Sequence, residues 1–315
     1  MYCENKLNMT IIVNCPCCNG KNLFIRKSVI APFISDYVLN EKKILSCRLF
    51  KCTNCGFIFF DKRFTYAEVN KLYNQYRKRE YFKTRNKHEF FYSFKVNNSF
   101  NNDIRQRKKL IDDFFRNYKL ENYTFKNVLD YGGDKGQFFP SYFNDSNKWL
   151  YDLSNNKPFK NVIKFSKITR DKKNFFDLIQ MCHLLEHISY PNEFLSSIRN
   201  LIKVHGYVYI EVPSEQFKFK PNDSKILDRY ISYVTKNRLV FNFVDILSLF
   251  FRLRLRALPF WGIIKLHEHI NFFDINSLSC LLENNGFKII EIEEKNISRQ
   301  KSGRNSIIQC LAIRK

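Results

Sequence analysis

The stretch Val128 to Phe138, "VLDYGGDKGQF", places three glycines within five positions of a chain that has only 9 glycines in 315 residues. Gly132, Gly133 and Gly136 follow a short apolar run that holds Asp130. That pattern predicts a strand that turns sharply into a helix, with backbone amides brought close to something a Cβ would obstruct. In a doubly wound sheet, ligands lie beyond the carboxyl ends of the strands, over such a turn. The spacing G-G-x-x-G departs from the G-x-G-x-x-G of a dinucleotide site, and Asp130 would repel a pyrophosphate. It suits a ligand that carries an ammonium group. Asp152, twenty residues beyond Gly132, ends the next strand-like run "KWLYDLS", where a carboxylate can take both hydroxyls of a ribose. A nucleoside with a cationic tail satisfies both carboxylates, and S-adenosylmethionine is such a ligand.

Around this turn the chain alternates strand-like and helix-like runs. "FDLIQMCH" (176–183) is followed by a helix expected over "NEFLSSIRNLIKVHG" (192–206), with Gly206 as its stop, and then by the strand "YVYIEVP" (207–213). A helix "INSLSCLLENNG" (275–286) precedes two strands, "FKIIEIEE" and "SIIQCLAIRK", that are joined only by a loop and so are expected to be antiparallel. The interval from Asp152 to "NVIKF" leaves little room for a helix. Alternation of this kind implies a parallel α/β sheet with helices on both faces.

Upstream, Cys15 and Cys18 in "CPCC" and Cys52 and Cys55 in "CTNC" form two C-x-x-C turns that together fill a tetrahedral thiolate site, a structural Zn2+. Cys17 can replace either neighbour of the first pair, Cys47 is a further spare, and buried or redox thiols are the alternative. The 33 residues from 19 to 51 are expected to hold a hairpin "KNLFIRKSVIA" and a strand "KILSCRLFKC". From about Phe64 to Tyr123 the spacing is helical, with Thr65 and Glu68 as a capping box. The organisation read here is a zinc-ribbon-like module over 1–63, a helical connector over 64–124 and an α/β domain over 125–315, with an insert at about 215–266.

The formal charge of +23 is spread along the chain without a run of five like charges. Solvated surface explains it first, a phosphate-bearing small substrate second, and nucleic acid last. Ten cysteines, an N-terminal apolar run of only "TIIV" and no stretch of membrane-spanning length point to the cytoplasm, with thiols and metal in place of disulfides. The insert is apolar over "LVFNFVDILSLFFRLRLRALPFWGII" but broken by Asp245, Arg252, Arg254 and Arg256. Its length suits a lid over an acceptor site. A surface in peripheral contact with a membrane is the alternative.

"VLDYGGDKG", "YDLS", the run from 176 to 214 and the closing helix and strands together resemble the class I S-adenosylmethionine-dependent methyltransferases, over about 125–315. The paired C-x-x-C knuckles, "LLEH" and "HEHINFFDINSLSCLLENNGF" resemble the subgroup with an N-terminal zinc-binding segment, sugar C-methyltransferases among them. The resemblance implies a Rossmann-like seven-stranded sheet and S-adenosylmethionine held by Asp130, Gly132, Gly133, Gly136, Asp152 and His183. The acceptor it implies is a sugar, sugar-phosphate or nucleotide-sugar, as in surface-polysaccharide synthesis. Asp134 stands where the family usually has a glycine at the third position of the loop, which narrows the approach to the methionine part. RNA or protein methylation, or a cofactor-binding member without turnover, are the alternatives.

An acceptor that is an alcohol or a carbon acid needs a base. Carried over by resemblance, the base is His187; Glu186 is read as its orienter or a sugar-hydroxyl ligand, and the alternative is a structural pair that holds the loop. His183 is expected at the strand end with no carboxylate beside it. His267 and His269 of "HEH" are read as substrate-pocket residues, with structural and metal roles as alternatives.

Overall fold

The computed structural model describes residues 9–89, 92–94, 104–118, 123–215, 225–255, 261–299 and 303–315; Arg256 and its neighbours to 260, within the insert, lie outside them. The first half runs β1 (Thr10–Ile11), β2 (Leu23–Ile30), α1 (Pro32–Tyr37), β3 (Ser46–Cys52), β4 (Ile58–Phe60), β5 (Lys62–Arg63), α2 (Tyr66–Asn74), α3 (Arg79–His88) and α4 (Ile104–Asn117). Then come β6 (Asn127–Tyr131), β7 (Asn147–Tyr151), β8 (Val162–Phe165), β9 (Phe176–Cys182), α5 (Pro191–Leu201), β10 (Ile202–Pro213), α6 (Lys225–Lys236) and α7 (Arg238–Leu255). The chain closes with β11 (Lys265–Leu266), β12 (Asn271–Phe272), α8 (Ile275–Asn284), β13 (Phe287–Arg299) and β14 (Gly303–Arg314).

Seven strands form the main sheet in the order β13-β14-β10-β9-β6-β7-β8. β6 to β10 pair in parallel, and β14 runs antiparallel to both β10 and β13. This is the Rossmann-like α/β sheet that the resemblance implied, with the antiparallel ending read from the strand pattern. Period-two alternation splits its side chains between two cores. Leu129, Ile179, Met181, Ile210 and Cys310 pack against α5 and α8 through Leu195, Ile198, Leu278 and Leu282. Val128, Leu178, Tyr209 and Leu311 pack on the other face with Ile111, Phe114 and Phe115 of α4.

Three local expectations are corrected. No helix follows the glycine turn. Phe138 and Phe139 turn inward to join the α4 core, and Pro140 disfavours helical geometry at the residue before it, so only a 3-10 turn, Ser141–Phe143, intervenes before β7. The helix expected over 192–206 ends at Leu201, because Ile202 already pairs with Phe176 and Gly206 sits where a Cβ would lie 3.1 Å from the Asp177 carbonyl. Residues 21–31 are not a hairpin: Leu23–Ile30 is one strand, paired antiparallel with β3.

The N-terminal sheet, in the order β11-β2-β3-β4-β12, is completed at both edges by residues 265–272. β11 lies parallel to β2, β12 antiparallel to β4, and the segment between them crosses from one edge to the other. Cys15, Cys17, Phe57 and Phe59 also join the core of α5 and α8, so this sheet is packed into the main domain. α2 begins with the expected capping box: Glu68 N donates to Thr65 Oγ1 (3.4 Å) and Thr65 N donates to Glu68 Oε2 (2.7 Å). α6 and α7 pack on β2, with Leu227, Ile231, Val234, Phe241 and Val244 around Val29. The insert's described helices are therefore seated on the N-terminal sheet. No helix among the described residues is long and apolar enough to cross a membrane.

Asn271 joins the two halves. It is fully buried, donates from Nδ2 to the carbonyls of Leu185 (2.9 Å) and Ile188 (2.7 Å), and accepts from Arg63 Nη1 (2.7 Å). Asn271→Ala leaves a buried guanidinium short of an acceptor and two carbonyls short of a donor. The expected loss is roughly 2–4 kcal/mol, read as a lower midpoint in urea denaturation. An unchanged midpoint would show that this joint carries no stability.

Candidate active site

The glycine turn leaves β6 with Gly132 (φ +80°) and Gly136 (φ +74°) in the left-handed region, and Asp134 (φ +54°) adopts it too. A Cβ on Gly132 would lie 2.9 Å from Leu184 Cδ1, and one on Gly133 would lie 2.0 Å from Asp130 Oδ2. Both glycines are thus required by packing within the protein itself. Asp134 N donates to Asp152 Oδ2 (2.9 Å), and Ser154 N donates to Asp152 Oδ1 (2.6 Å). The Asp134 carboxylate is turned aside, accepting from Ser154 Oγ (3.1 Å) and Asn156 Nδ2 (2.6 Å). Asp130 is completely buried beside Gln180 of β9, and neither carboxyl oxygen makes a hydrogen bond of good geometry. Burial pushes its carboxyl up to about 7.

Beyond β9 the chain reaches His183 (φ +53°) and then a 3-10 turn, Leu185–His187. The crossing segment grips this turn: Ile270 N donates to the Glu186 carbonyl (2.9 Å), and Asn271 holds the carbonyls on either side. His187 Nδ1 lies 2.9 Å from the Glu268 carbonyl and 3.0 Å from Tyr73 Oη. A carbonyl only accepts, so Nδ1 carries the proton and Nε2 keeps its lone pair. Nε2 faces Glu186 Oε1 at 3.9 Å. Burial holds His187 below the ordinary histidine range, although Glu186 works in the other direction. At neutral pH it is therefore an uncharged imidazole with one free basic nitrogen.

Glu186 is 1% exposed. Burial opposes its charge, but the His183 imidazole (Nδ1 at 3.2 Å) and His187 outweigh it and hold the carboxyl down to about 2. His183 does have carboxylate neighbours, contrary to expectation: Glu186, and also Glu211, whose Oε1 lies 3.0 Å from Nε2. Glu211 projects from the apolar strand β10 and is paired with Arg107 of α4 (2.5 Å), which with His183 holds it down to about 2 against burial. His269 stands beside His187, ring centroids 4.8 Å apart and nearly perpendicular. Burial lowers His269, but Glu215, at 3.4 Å from Nδ1, prevails and lifts it to about 9.

The structure thus brings Gly132, His183, Glu186, His187 and His269 into one neighbourhood, with Asp130 and Asp152 beneath and beside the glycine turn. His267 lies elsewhere: its Nε2 is 2.5 Å from Glu89 Oε1 and its ring stacks on Phe33. Glu268, between the two histidines, is buried, bonded by Tyr81 and paired with Arg85 (3.3 Å). Arg107, Glu211, Tyr73 and Glu215 were missed in the sequence. Glu211 had a signal, a lone carboxylate inside the apolar run "YVYIEVP"; Tyr73 had none beyond its place on a capped helix.

Three groups among the described residues have metal-ligand spacing. The sulfurs of Cys15, Cys18, Cys52 and Cys55 all lie within 4.8 Å of one another, with Cys15–Cys55 at 3.6 Å and Cys18–Cys52 at 3.5 Å. These approach the edge of about 3.8 Å that a tetrahedron with ~2.3 Å Zn–S bonds requires. Cys17 donates its thiol to the Ser277 carbonyl (3.2 Å) and forms a second group with Cys55 and Cys280, whose sulfurs all lie within 4.8 Å of one another. Glu186, His187 and His269 form the third group, also within 4.8 Å.

A family model described as "Methyltransferase domain" matches residues 103–292. The chain belongs to this methyltransferase family. The S-adenosylmethionine-dependent class expected from the glycine turn and its sheet is the one that membership supports. Among solved structures, this methyltransferase is similar to the Burkholderia thailandensis 1,6-didemethyltoxoflavin-N1-methyltransferase, solved with 1,6-didemethyltoxoflavin and S-adenosylhomocysteine. The identity is 15%, over 67% of this chain and 78% of that one, with a TM-score of 0.41. It is also similar to an S-adenosylmethionine dependent methyltransferase from Mesorhizobium loti, at 13% identity over 64% of this chain and 96% of that one, with a TM-score of 0.37. No curated protein matches the sequence.

Asp130 gives the methyltransferase a pH signature. A carboxyl whose folded pKa, about 7, lies above its unfolded value costs stability as pH rises from about 4 to 7. Without ligand, Asp130→Asn should therefore gain on the parent by on the order of 2–4 kcal/mol between pH 4.5 and 8, measured by chemical denaturation. An equal difference at both pH values would show that Asp130 is ionised throughout.

Proposed function

We propose that this protein transfers a methyl group from S-adenosylmethionine to a small acceptor, a sugar or nucleotide-linked sugar, with His187 as general base. One observation supports the base above all: the Glu268 carbonyl fixes the proton on His187 Nδ1, which leaves Nε2 basic and free beside Glu186. Glu186, held ionised, stabilises the imidazolium that forms when Nε2 takes the acceptor's proton. Tyr73 and the crossing segment orient the ring.

The residues around the glycine turn fit the cofactor. Asp130 is a buried carboxyl without a hydrogen bond of good geometry, so a cationic ligand group nearby would relieve it. Asp152 has accepting capacity left beyond its two backbone donors, enough for ribose hydroxyls. Gly132, Gly133 and Gly136 keep side chains out of the turn, and His183 closes it at the β9 end. S-adenosylmethionine supplies, when bound, an electrophilic methyl on a sulfonium. His269 is read as an acceptor-binding cation, while His267 serves that pocket indirectly, through Glu89 and Glu268. Cys15, Cys18, Cys52 and Cys55 are assigned to a structural zinc ion in a cytoplasmic protein. The proposed division remains a zinc module over 1–63, a connector over 64–124 and a methyltransferase domain over 125–315.

Incubation with methyl-labelled S-adenosylmethionine and a panel of nucleotide-linked sugars should yield a labelled product. His187→Ala should lower turnover by about 10²–10⁴-fold while leaving donor binding nearly intact. The parent's rate should rise with pH through an apparent pKa below the ordinary histidine value of about 6.5, because burial favours neutral His187. Glu186→Gln should move that inflection lower still, since it removes the charge that supports the imidazolium. Parental turnover and an unaltered profile in His187→Ala would defeat the mechanism.

Elemental analysis should find one zinc per chain, lost in Cys52→Ser and Cys55→Ser and kept in His187→Ala and His269→Ala. Full retention in both cysteine variants would reject the thiolate assignment, and loss in the histidine variants would put the ion on Glu186, His187 and His269 instead.

A further inference from the structure

We propose that the outer face of α7, together with α6, docks in the plane of an anionic lipid bilayer. α7 is apolar on two opposite faces, with Arg238, Asn242 and Asp245 aligned along one edge between them, a distribution that water alone does not favour for a helix at the surface. One face is accounted for. Phe241, Val244 and Ser248 are buried, the first two in the cluster that seats α6 and α7 on β2 around Val29. Directly opposite, Leu239 is 80% exposed, Phe243 64%, Ile246 42% and Phe250 55%. Their spacing of i, i+4, i+7 and i+11 makes one continuous row about 16 Å long, at 1.5 Å per residue. Singly exposed apolar residues are ordinary; an aligned row of four marks an interaction surface. α6 adds Ile226 (74% exposed) and Tyr233 (68%) on a flank of its own buried row.

Charge selects the occupant. Lys225, Arg229, Lys236 and Arg238 are all exposed on the same two helices. Of the acidic residues there, Asp228 is exposed and Asp245 is neutralised by Lys265 at 2.7 Å. A second copy of the chain would bring like charge against like, on a protein that already carries +23. An anionic bilayer offers the complement to both features: acyl chains for the row and headgroups for the flanking cations. The row is long enough to lie in an interface, and no described helix is long and apolar enough to cross one. The site chemistry above does not enter this inference, which stands or falls independently of the proposed reaction.

Flotation of the full chain with vesicles tests it. Vesicles of phosphatidylcholine with about 30% phosphatidylglycerol should retain the protein, and pure phosphatidylcholine vesicles should hold much less. The double variant Phe243→Asp/Phe250→Asp alters only exposed side chains and should keep the parental melting temperature. It should lose at least about tenfold in vesicle affinity. Arg229→Gln/Lys236→Gln should weaken binding to anionic vesicles and flatten its salt dependence. No retention on either vesicle would overturn the proposal. So would retention that the double aspartate variant leaves intact, since charge alone would then be responsible. Concentration-dependent dimerisation in light scattering, abolished by the same variant, would overturn it in favour of a second copy.

Discussion

The joint on which the rest of this protein depends is the grip of residues 268–271 on the 3-10 turn Leu185–His187. Four residues that cross from one edge of the N-terminal sheet to the other supply the Glu268 carbonyl to His187, the Ile270 amide to the Glu186 carbonyl, and the Asn271 side chain to the carbonyls of Leu185 and Ile188. A one-turn helical element has too few internal hydrogen bonds to hold a shape by itself. Its geometry is borrowed from the sheet edges. The four-cysteine cluster is remote from this turn in sequence, yet it belongs to the same apparatus: Cys15 and Cys52 pack with Phe57 and Phe59 into the core of α5 and α8, which stabilises the strands that the crossing segment joins.

Burying carboxylates at strand ends is costly unless each is paired. Glu211 is paired with Arg107 and His183, Glu186 with His183 and His187, and Glu268 with Arg85 and Tyr81. All three are held down to about 2, so three fixed negative charges surround the histidines. The cations come from the connector helices: Arg107 from α4 and Arg85 from α3. That is a physical reason for the helical segment between the cysteines and the main sheet. Asp130 is the exception among them, a buried carboxyl with no ion pair among the described residues, and it is raised where the others are lowered.

Much of this architecture was legible. Apolar strands separated by capped helices announced the main sheet, and the antiparallel ending followed from the short loop before Ser306. What was hidden was of two kinds. Aromatic packing overrode local patterning after the glycine turn, where Phe138 and Phe139 are drawn to α4 and no helix forms. Long-range pairing was invisible as well: two-residue strands such as Lys265–Leu266 and Asn271–Phe272 carry no periodicity, yet they complete a sheet begun at Leu23. The site suffered accordingly. Glu186, His187 and His269 were found as residue types, but the partners that set the protonation of the two histidines, the Glu268 carbonyl for His187 and Glu215 for His269, are brought to them only by the fold. His183 was misjudged for the same reason.

The two imidazoles that face each other show what this arrangement achieves. His187 and His269 have the same intrinsic affinity for a proton, and their ring centroids are only 4.8 Å apart. Each would oppose the charging of the other, so a symmetrical pair would share one proton without preference. The symmetry is broken by what stands behind each ring. Behind His187 is a backbone carbonyl, which fixes a tautomer, and behind His269 is the Glu215 carboxylate, which favours an imidazolium. Burial lowers the pKa of His187, although its carbonyl partner works in the other direction, and Glu215 raises that of His269 to about 9. Titratable neighbours pushed apart in this way divide the roles of base and charged binder between them. On the proposed reading, His187 is free to accept a proton because His269 already holds one, and Glu215 is the group that keeps it there.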